Sequence, residues 1–166
     1  MKTLTLAFLF RDNKILLAMK KHSFGVGKWN GYGGKLEKGE EPIQGIVREV
    51  SEESNLNIEP NKFKELGFMD FFFDDKPEWD QHVVVYRVDD FEGAPEETEE
   101  MMPKWFDLNE IPWSEMWKGD DQWLPYVIEN KKFSGEIHFV EEGQKLVSFK
   151  IDNLKINEGD LKMKVK

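Results

Sequence analysis

Glu49, Glu52 and Glu53 stand at i, i+3 and i+4, so a helix through them presents three carboxylates on one side. Like charges at that spacing oppose helix formation by roughly a few tenths of a kcal/mol per pair unless something neutralises them. A solvated acidic face is one reading. A hard divalent cation is the other, and magnesium suits it, because it prefers carboxylate oxygens, water and substrate phosphates to a closed protein cage. The backbone carbonyl of Gly34 can add an oxygen. Arg48 can pair with Glu40 and so tie the glycine loop to the acidic helix, setting the height of one against the other.

The element that must carry these groups reads as a helix from Pro42 to Ser54. Proline is tolerated in a first turn, and Asn55 can take the left-handed conformation that ends a helix. Ile43, Ile46, Val47 and Val50 recur at helical spacing and form the stripe that turns toward a core. Gly33-Gly34 precedes it. A second loop, Phe24-Gly25-Val26-Gly27-Lys28, reads as a flexible rim leading into Trp29 and Asn30.

The rest of the chain is strand-rich. Thr3 to Phe10 and Lys14 to Lys20 form a hairpin about Arg11-Asp12-Asn13. Phe63 to Phe73 is a strand, with Met69, Phe71 and Phe73 on one face and Phe68 and Phe72 on the other. His82 to Val88 reads as a central strand. His82 is structural in this reading, since no second His or Cys stands at ligand spacing. An acidic loop from Phe91 to Glu100 leads to a strand over Pro103 to Leu108. A helix is expected over Asp120 to Lys131, with Asp120 or Asp121 as N-cap, Pro125 in its first turn, and Trp123, Leu124, Val127 and Ile128 buried. Gly135 to Val140 and Lys145 to Ile151 close a last hairpin around Glu141-Glu142-Gly143.

With 166 residues, one domain over 1–152 is expected, followed by a tail over 153–166 that is either an added hairpin or a loose end. The formal charge of -10 disfavours binding to nucleic-acid backbone or to an anionic membrane. The absence of cysteine excludes disulfides and thiolate metal sites and suits a reducing, cytoplasmic compartment. Leu4 to Phe10 is too short to span a bilayer. A monomer acting on a small molecule is the expectation.

Gly34, five residues, Glu40, seven residues, Arg48-Glu49, an aliphatic, one residue, Glu52-Glu53 and Leu56 together resemble the Nudix box of hydrolases of nucleoside diphosphates linked to another group. The one departure is Asn55, where the family has glycine. The resemblance implies an α+β fold in which a mixed β-sheet lies between α-helices. It also implies hydrolysis at a diphosphate linkage with Mg2+, or Mn2+ in its place, held by Gly34, Glu49, Glu52, Glu53 and Glu100. Arg48 and Glu49 belong to the catalytic set, and either Glu53 or Glu100 activates the water.

The match runs beyond the box. Met19-Lys20-Lys21, Trp29-Asn30-Gly31, Pro103-Lys104-Trp105-Phe106, Met116-Trp117 and Asp120-Asp121-Gln122-Trp123 resemble the animal-type MutT homologues, hydrolases of oxidised purine nucleoside triphosphates. Carried over position by position, Asn30, Asp120 and Asp121 read the purine edge, while Phe71 and Trp117 enclose the ring. Phe72 and Phe73 are alternatives to Phe71. Thr5, Lys20, Phe24, Trp79 and Trp123 fall at pocket positions, and each can equally be core. Of two neighbouring carboxylates in an apolar pocket, one is expected to keep its proton. Lys118-Gly119 replaces a single proline of the animal-type proteins, which leaves the aspartate pair's placement open. A non-catalytic nucleotide sensor, or a hydrolase of another nucleoside diphosphate derivative, remains the alternative function.

Overall fold

Strand β1 (Lys2–Arg11) is apolar on both faces, and both are buried: Ala7 and Leu9 look one way, Leu6, Phe8 and Phe10 the other. That pattern belongs to a strand covered on both sides. The computed structural model describes residues 1–153, and β1 lies at the middle of its sheet. It runs parallel to β6 (Gln81–Val88) along one edge. Its other edge is shared by β2 (Lys14–Lys20) and β4 (Tyr32–Lys35), both antiparallel. Asp12 and Asn13, both at positive φ, form the tight turn into β2.

Beyond β6 the sheet continues through β5 (Lys64–Phe73), β8 (Phe133–Val140) and β9 (Lys145–Asn153), while β3 (Trp29–Asn30) and β7 (Met101–Asp107) pair with β2. Helix α1 (Pro42–Ser54) covers one face, packing Ile46 and Val50 on Ala7, Leu9 and Tyr32. Helix α2 (Asp120–Ile128) covers the other, packing Trp123, Leu124 and Val127 beside Phe8, Phe10 and Phe133. The fold is the mixed sheet between helices that the sequence led us to expect. No helix among the described residues is long and apolar enough to cross a membrane.

Helix α1 has the expected bounds, and Asn55 ends it in the left-handed conformation at φ 61°. Helix α2 differs from expectation at both ends. Its N-cap is Gly119, at φ 92°, which a side chain would resist, so neither Asp120 nor Asp121 caps it and Asp120 is its first residue. It stops at Ile128 rather than Lys131. Asn130 turns left-handed at φ 58°, and the Arg87 guanidinium donates to the Val127 and Ile128 carbonyls at 2.7 and 2.9 Å. Pro125 therefore lies inside the helix, past the first turn. Strand β7 begins at Met101, two residues before the expected Pro103. Apart from Asn153, which ends β9, the expected tail lies outside the described residues.

Candidate active site

The loop between β4 and α1 is fastened to the helix by one arginine. Arg48 grips Glu40 with two nitrogens, Nε at 2.8 Å and Nη2 at 2.9 Å, and Nη2 also reaches the Lys35 carbonyl at 3.3 Å. Arg48 and the Glu37 amide together hold the Glu40 carboxyl down at about 2. Nη1 of Arg48 donates to Glu49 at 2.6 Å and to Glu52 at 3.2 Å. One guanidinium thus spans the loop and two of the three box carboxylates.

The three carboxylates differ in burial. Glu52 is exposed, Glu49 is largely covered, and Glu53 is only 3% exposed. Glu53 accepts a hydrogen bond from the Gly33 amide at 2.9 Å. Burial pushes the Glu53 carboxyl up to about 8; the charges of Glu49 and Glu100 add to this, and the Gly33 amide and Lys20 oppose it. Burial also raises Glu49, against the opposing pull of Arg48. Thr98, which the sequence reading passed over, brings Glu100 in. Its hydroxyl donates to the Glu53 carbonyl at 3.1 Å and accepts from the Glu100 and Met101 amides at 3.3 and 3.2 Å.

Among the described residues no three acidic or histidine side chains are drawn into an ion-holding cluster, and Arg48 engages Glu49 and Glu52. The donor set nonetheless fits a hard divalent cation. All its ligand atoms are oxygens, and a cation would offset both the burial that raises Glu49 and Glu53 and the repulsion from neighbouring carboxylates that adds to it. Gly34 supports the same reading. A Cβ there would lie 2.0 Å from Glu49 Oε2, so the carboxylate rests directly against the Gly34 backbone. The Thr5 hydroxyl makes a long 3.5 Å contact with the Gly34 carbonyl.

A cavity runs from Gly33 and Gly34 to α2. Thr5, Lys20, Phe24, Asn30, Phe71, Trp117, Asp120 and Trp123 all line it. Asp121 and Trp79 do not. Asp121 is exposed on the helix surface, and Trp79 touches Phe24 and Phe73 edge-on, at 5.1 and 5.7 Å. Phe73 and Phe139 line the cavity beside Phe71, whereas Phe72 lies on the opposite face of β5, stacked on His138. Lys28 and Gln81 are further lining residues that the sequence reading did not single out. Their signal is long-range pairing, which local pattern does not carry. His82 bonds Asp70 at 2.6 Å, a structural role as expected.

Asp120 is 3% exposed, and burial pushes its carboxyl up to about 8. Trp123 and Lys28 oppose the rise, and the Asp121 charge adds to it. The indole N–H of Trp123 faces that carboxyl outside full hydrogen-bonding geometry and is left without a partner. Asn30 Oδ1 accepts from the Gly31 amide at 2.8 Å, which orients its side chain. Phe24 stacks on Trp117 at 5.1 Å, and Lys28 lies 5.3 Å from the Trp117 ring centre. The far end of the cavity therefore offers aromatic surface from Phe71 and from the stacked Phe24–Trp117 pair, with the buried Asp120 carboxyl beside it.

The NUDIX domain profile matches residues 2–127. The chain is 39% identical over 153 residues to the oxidized purine nucleoside triphosphate hydrolase of Danio rerio, covering 92% of this chain and 96% of that protein. It is 39% identical over 138 residues to the protein of that name from Mus musculus, covering 83% and 86%. A crystal structure of a MutT mutator protein from Bacillus halodurans superposes with a TM-score of 0.79 at 22% identity, over 92% of this chain and 98% of that one.

Proposed function

The chain belongs to the Nudix family, and on that premise we propose that it is a pyrophosphohydrolase that cleaves oxidised purine nucleoside triphosphates to the monophosphate and pyrophosphate. The observation that carries this reading is the single cavity that joins the Gly33-Gly34 loop, against which Glu49 and Glu53 rest, to the Asp120 carboxyl. Its length runs from a phosphate-handling end to a base-reading end.

Nudix hydrolases use divalent cations, and the cation proposed here is Mg2+, with Mn2+ as substitute, held by Glu49, Glu52, Glu53, Glu100 and the Gly34 carbonyl. When bound, it supplies neutralisation of charge on the phosphate oxygens during in-line attack by water. Glu53 takes the water's proton. It does so as the carboxylate, the form that the Gly33 amide and Lys20 favour against burial and that neutralisation of the neighbouring carboxylates would restore, and the Gly33 amide fixes the orientation of its carboxyl. Arg48 sets α1 against the loop. Lys20 lines the cavity within reach of the Glu53 charge and meets phosphate charge.

At the base end Phe24, Phe71 and Trp117 pack on the purine faces, a gain of roughly 1–3 kcal/mol per stacked ring. Asp120, carrying its proton, donates to the purine edge while Asn30 supplies the complementary groups. A base edge that leaves these buried groups unpaired loses about 1–3 kcal/mol. The preferred substrates are therefore 8-oxo-dGTP first and 2-hydroxy-dATP second. The protein acts as a monomer in the cytoplasm, protecting the nucleotide pool. Pyrophosphate release from 8-oxo-dGTP tests the reading: we expect Glu53→Gln to abolish turnover at saturating Mg2+ while binding persists. Near-full turnover by that variant would remove Glu53 from its role.

A further inference from the structure

His138 stands on the face of β8 turned away from the cavity, between two carboxylates. Its Nδ1 lies 2.9 Å from Asp74 Oδ1 and its Nε2 2.8 Å from Glu136 Oε2, and its ring stacks on Phe72 at 4.8 Å. Both nitrogens can donate only when the ring is charged. The groups facing it are few. Phe72 comes from β5, Asp74 from the loop after it, Glu136 from β8 itself, and the register partner on β9 is the uncharged Ser148; Glu136 in turn stands between Lys150 of β9 and Asp70 of β5, which is bonded to His82.

Asp74 opens the loop that carries Trp79, and that loop is tied to the far end of β8 and to the β8–β9 turn. The Asp74 amide donates to the Phe139 carbonyl at 2.8 Å, Asp75 accepts from the Glu141 amide at 2.8 Å, and Lys76 pairs with Glu142 at 3.0 Å. Lys76 lies over Trp79 at 4.4 Å, and Trp79 meets Phe24 and Phe73. The turn presses on the cavity from the other side: a Cβ at Gly143 would lie 2.8 Å from Trp117 Cζ3 and 3.2 Å from Phe73 Cε2. The aromatic rim of the cavity therefore rests on two segments that His138 helps to join.

We propose that His138 is a positioning residue for the base cavity: shared between Asp74 and Glu136, its charged ring anchors the 74–80 loop to β8 and thereby sets where Trp79 and Trp117 stand. Asp74, then Glu136, raises the imidazole above its ordinary value. The anchor is fully present below the free imidazole value near about 6.5 and is lost as pH rises through the raised value of the folded protein. All three side chains are partly exposed, so solvent screening keeps the effect modest.

The assignment of the cavity to a purine base rests on the function proposed above, so the test includes a readout that needs no substrate. Indole 15N resonances of the full chain are followed from about pH 5.5 to 8.5. We expect the Trp79 resonance of the wild type to move with the His138 titration and to stay fixed in His138→Lys, whose cation persists across this range, while Trp117 keeps in that variant only the movement that follows Asp120. In His138→Gln the Trp79 resonance should sit at the high-pH position throughout. In kinetics with 8-oxo-dGTP, the KM of His138→Gln relative to wild type should be about three- to tenfold at the low end of the range and fall to near one at the high end, while the ratio of their kcat values stays near one throughout, so that the titrations of Glu53 and Asp120, common to both proteins, cancel. His138→Lys should keep the low KM, any residual pH dependence being that of Asp120. A Trp79 indole blind to the His138 titration, or His138→Lys behaving like His138→Gln, would overturn the proposal, whatever the substrate proves to be.

Discussion

The Glu49 carboxylate lies against the backbone of Gly34 with no room for a methyl group: a Cβ there would meet Oε2 at 2.0 Å. The clash is with the far end of a flexible side chain, so Gly34→Ala should fold, with a melting temperature close to that of the wild type. Its Glu49 carboxylate must swing away from the loop. A displacement of about 1 Å in a positioned group can lower turnover on the order of 100-fold, and that is the loss expected in kcat. Measuring Tm and kcat on one preparation checks both halves.

Arg48 joins Glu40, Glu49 and Glu52. Its two-nitrogen grip on Glu40 uses the planar fork of a guanidinium, which an ammonium does not reproduce. Arg48→Lys should therefore lose roughly tenfold or more in kcat and require more magnesium for half-maximal rate. A lysine variant with wild-type magnesium dependence would show that charge alone suffices.

Asp120 is held at about 8 by burial, far above the ordinary aspartate value of 3.8. Between those values the folded protein binds a proton that the unfolded chain releases. Stability is therefore greatest below about 4 and falls as pH rises through about 8. Asp120→Asn removes this slope. Its Tm should exceed that of the wild type at pH 9 by on the order of 5 °C, with a smaller difference near pH 6. Asp121 is exposed and adds only a lesser part of the rise, so Asp121→Asn should keep the slope of the wild-type profile and move it slightly toward lower pH.

The Arg48 to Glu53 half of the candidate site was legible in the sequence because it is local. Pro42, Asn55 and the spacing of Arg48, Glu49, Glu52 and Glu53 lie within one loop and one helix, where periodicity and capping govern geometry. The cavity half was legible only as a set of residues. Which of Phe71, Phe72 and Phe73 faces the cavity depends on the register of β5 against β6 and β8, a long-range fact. Asp120 and Asp121 read alike as caps. Gly119, at positive φ, takes the cap position instead, which turns Asp120 inward and leaves Asp121 on the surface. Thr98 escaped notice because its partners are the Glu53 carbonyl, 45 residues away, and amides of the acidic loop.

The central claim is that the Asp120 end of the cavity reads an oxidised purine. It is tested most directly by kcat/KM for pyrophosphate release from 8-oxo-dGTP against dGTP, measured side by side with magnesium. The account predicts at least about tenfold preference for the oxidised nucleotide, and its loss in Asp120→Ala. Equal values for the two nucleotides, unchanged in that variant, would contradict it and leave the family chemistry without this substrate.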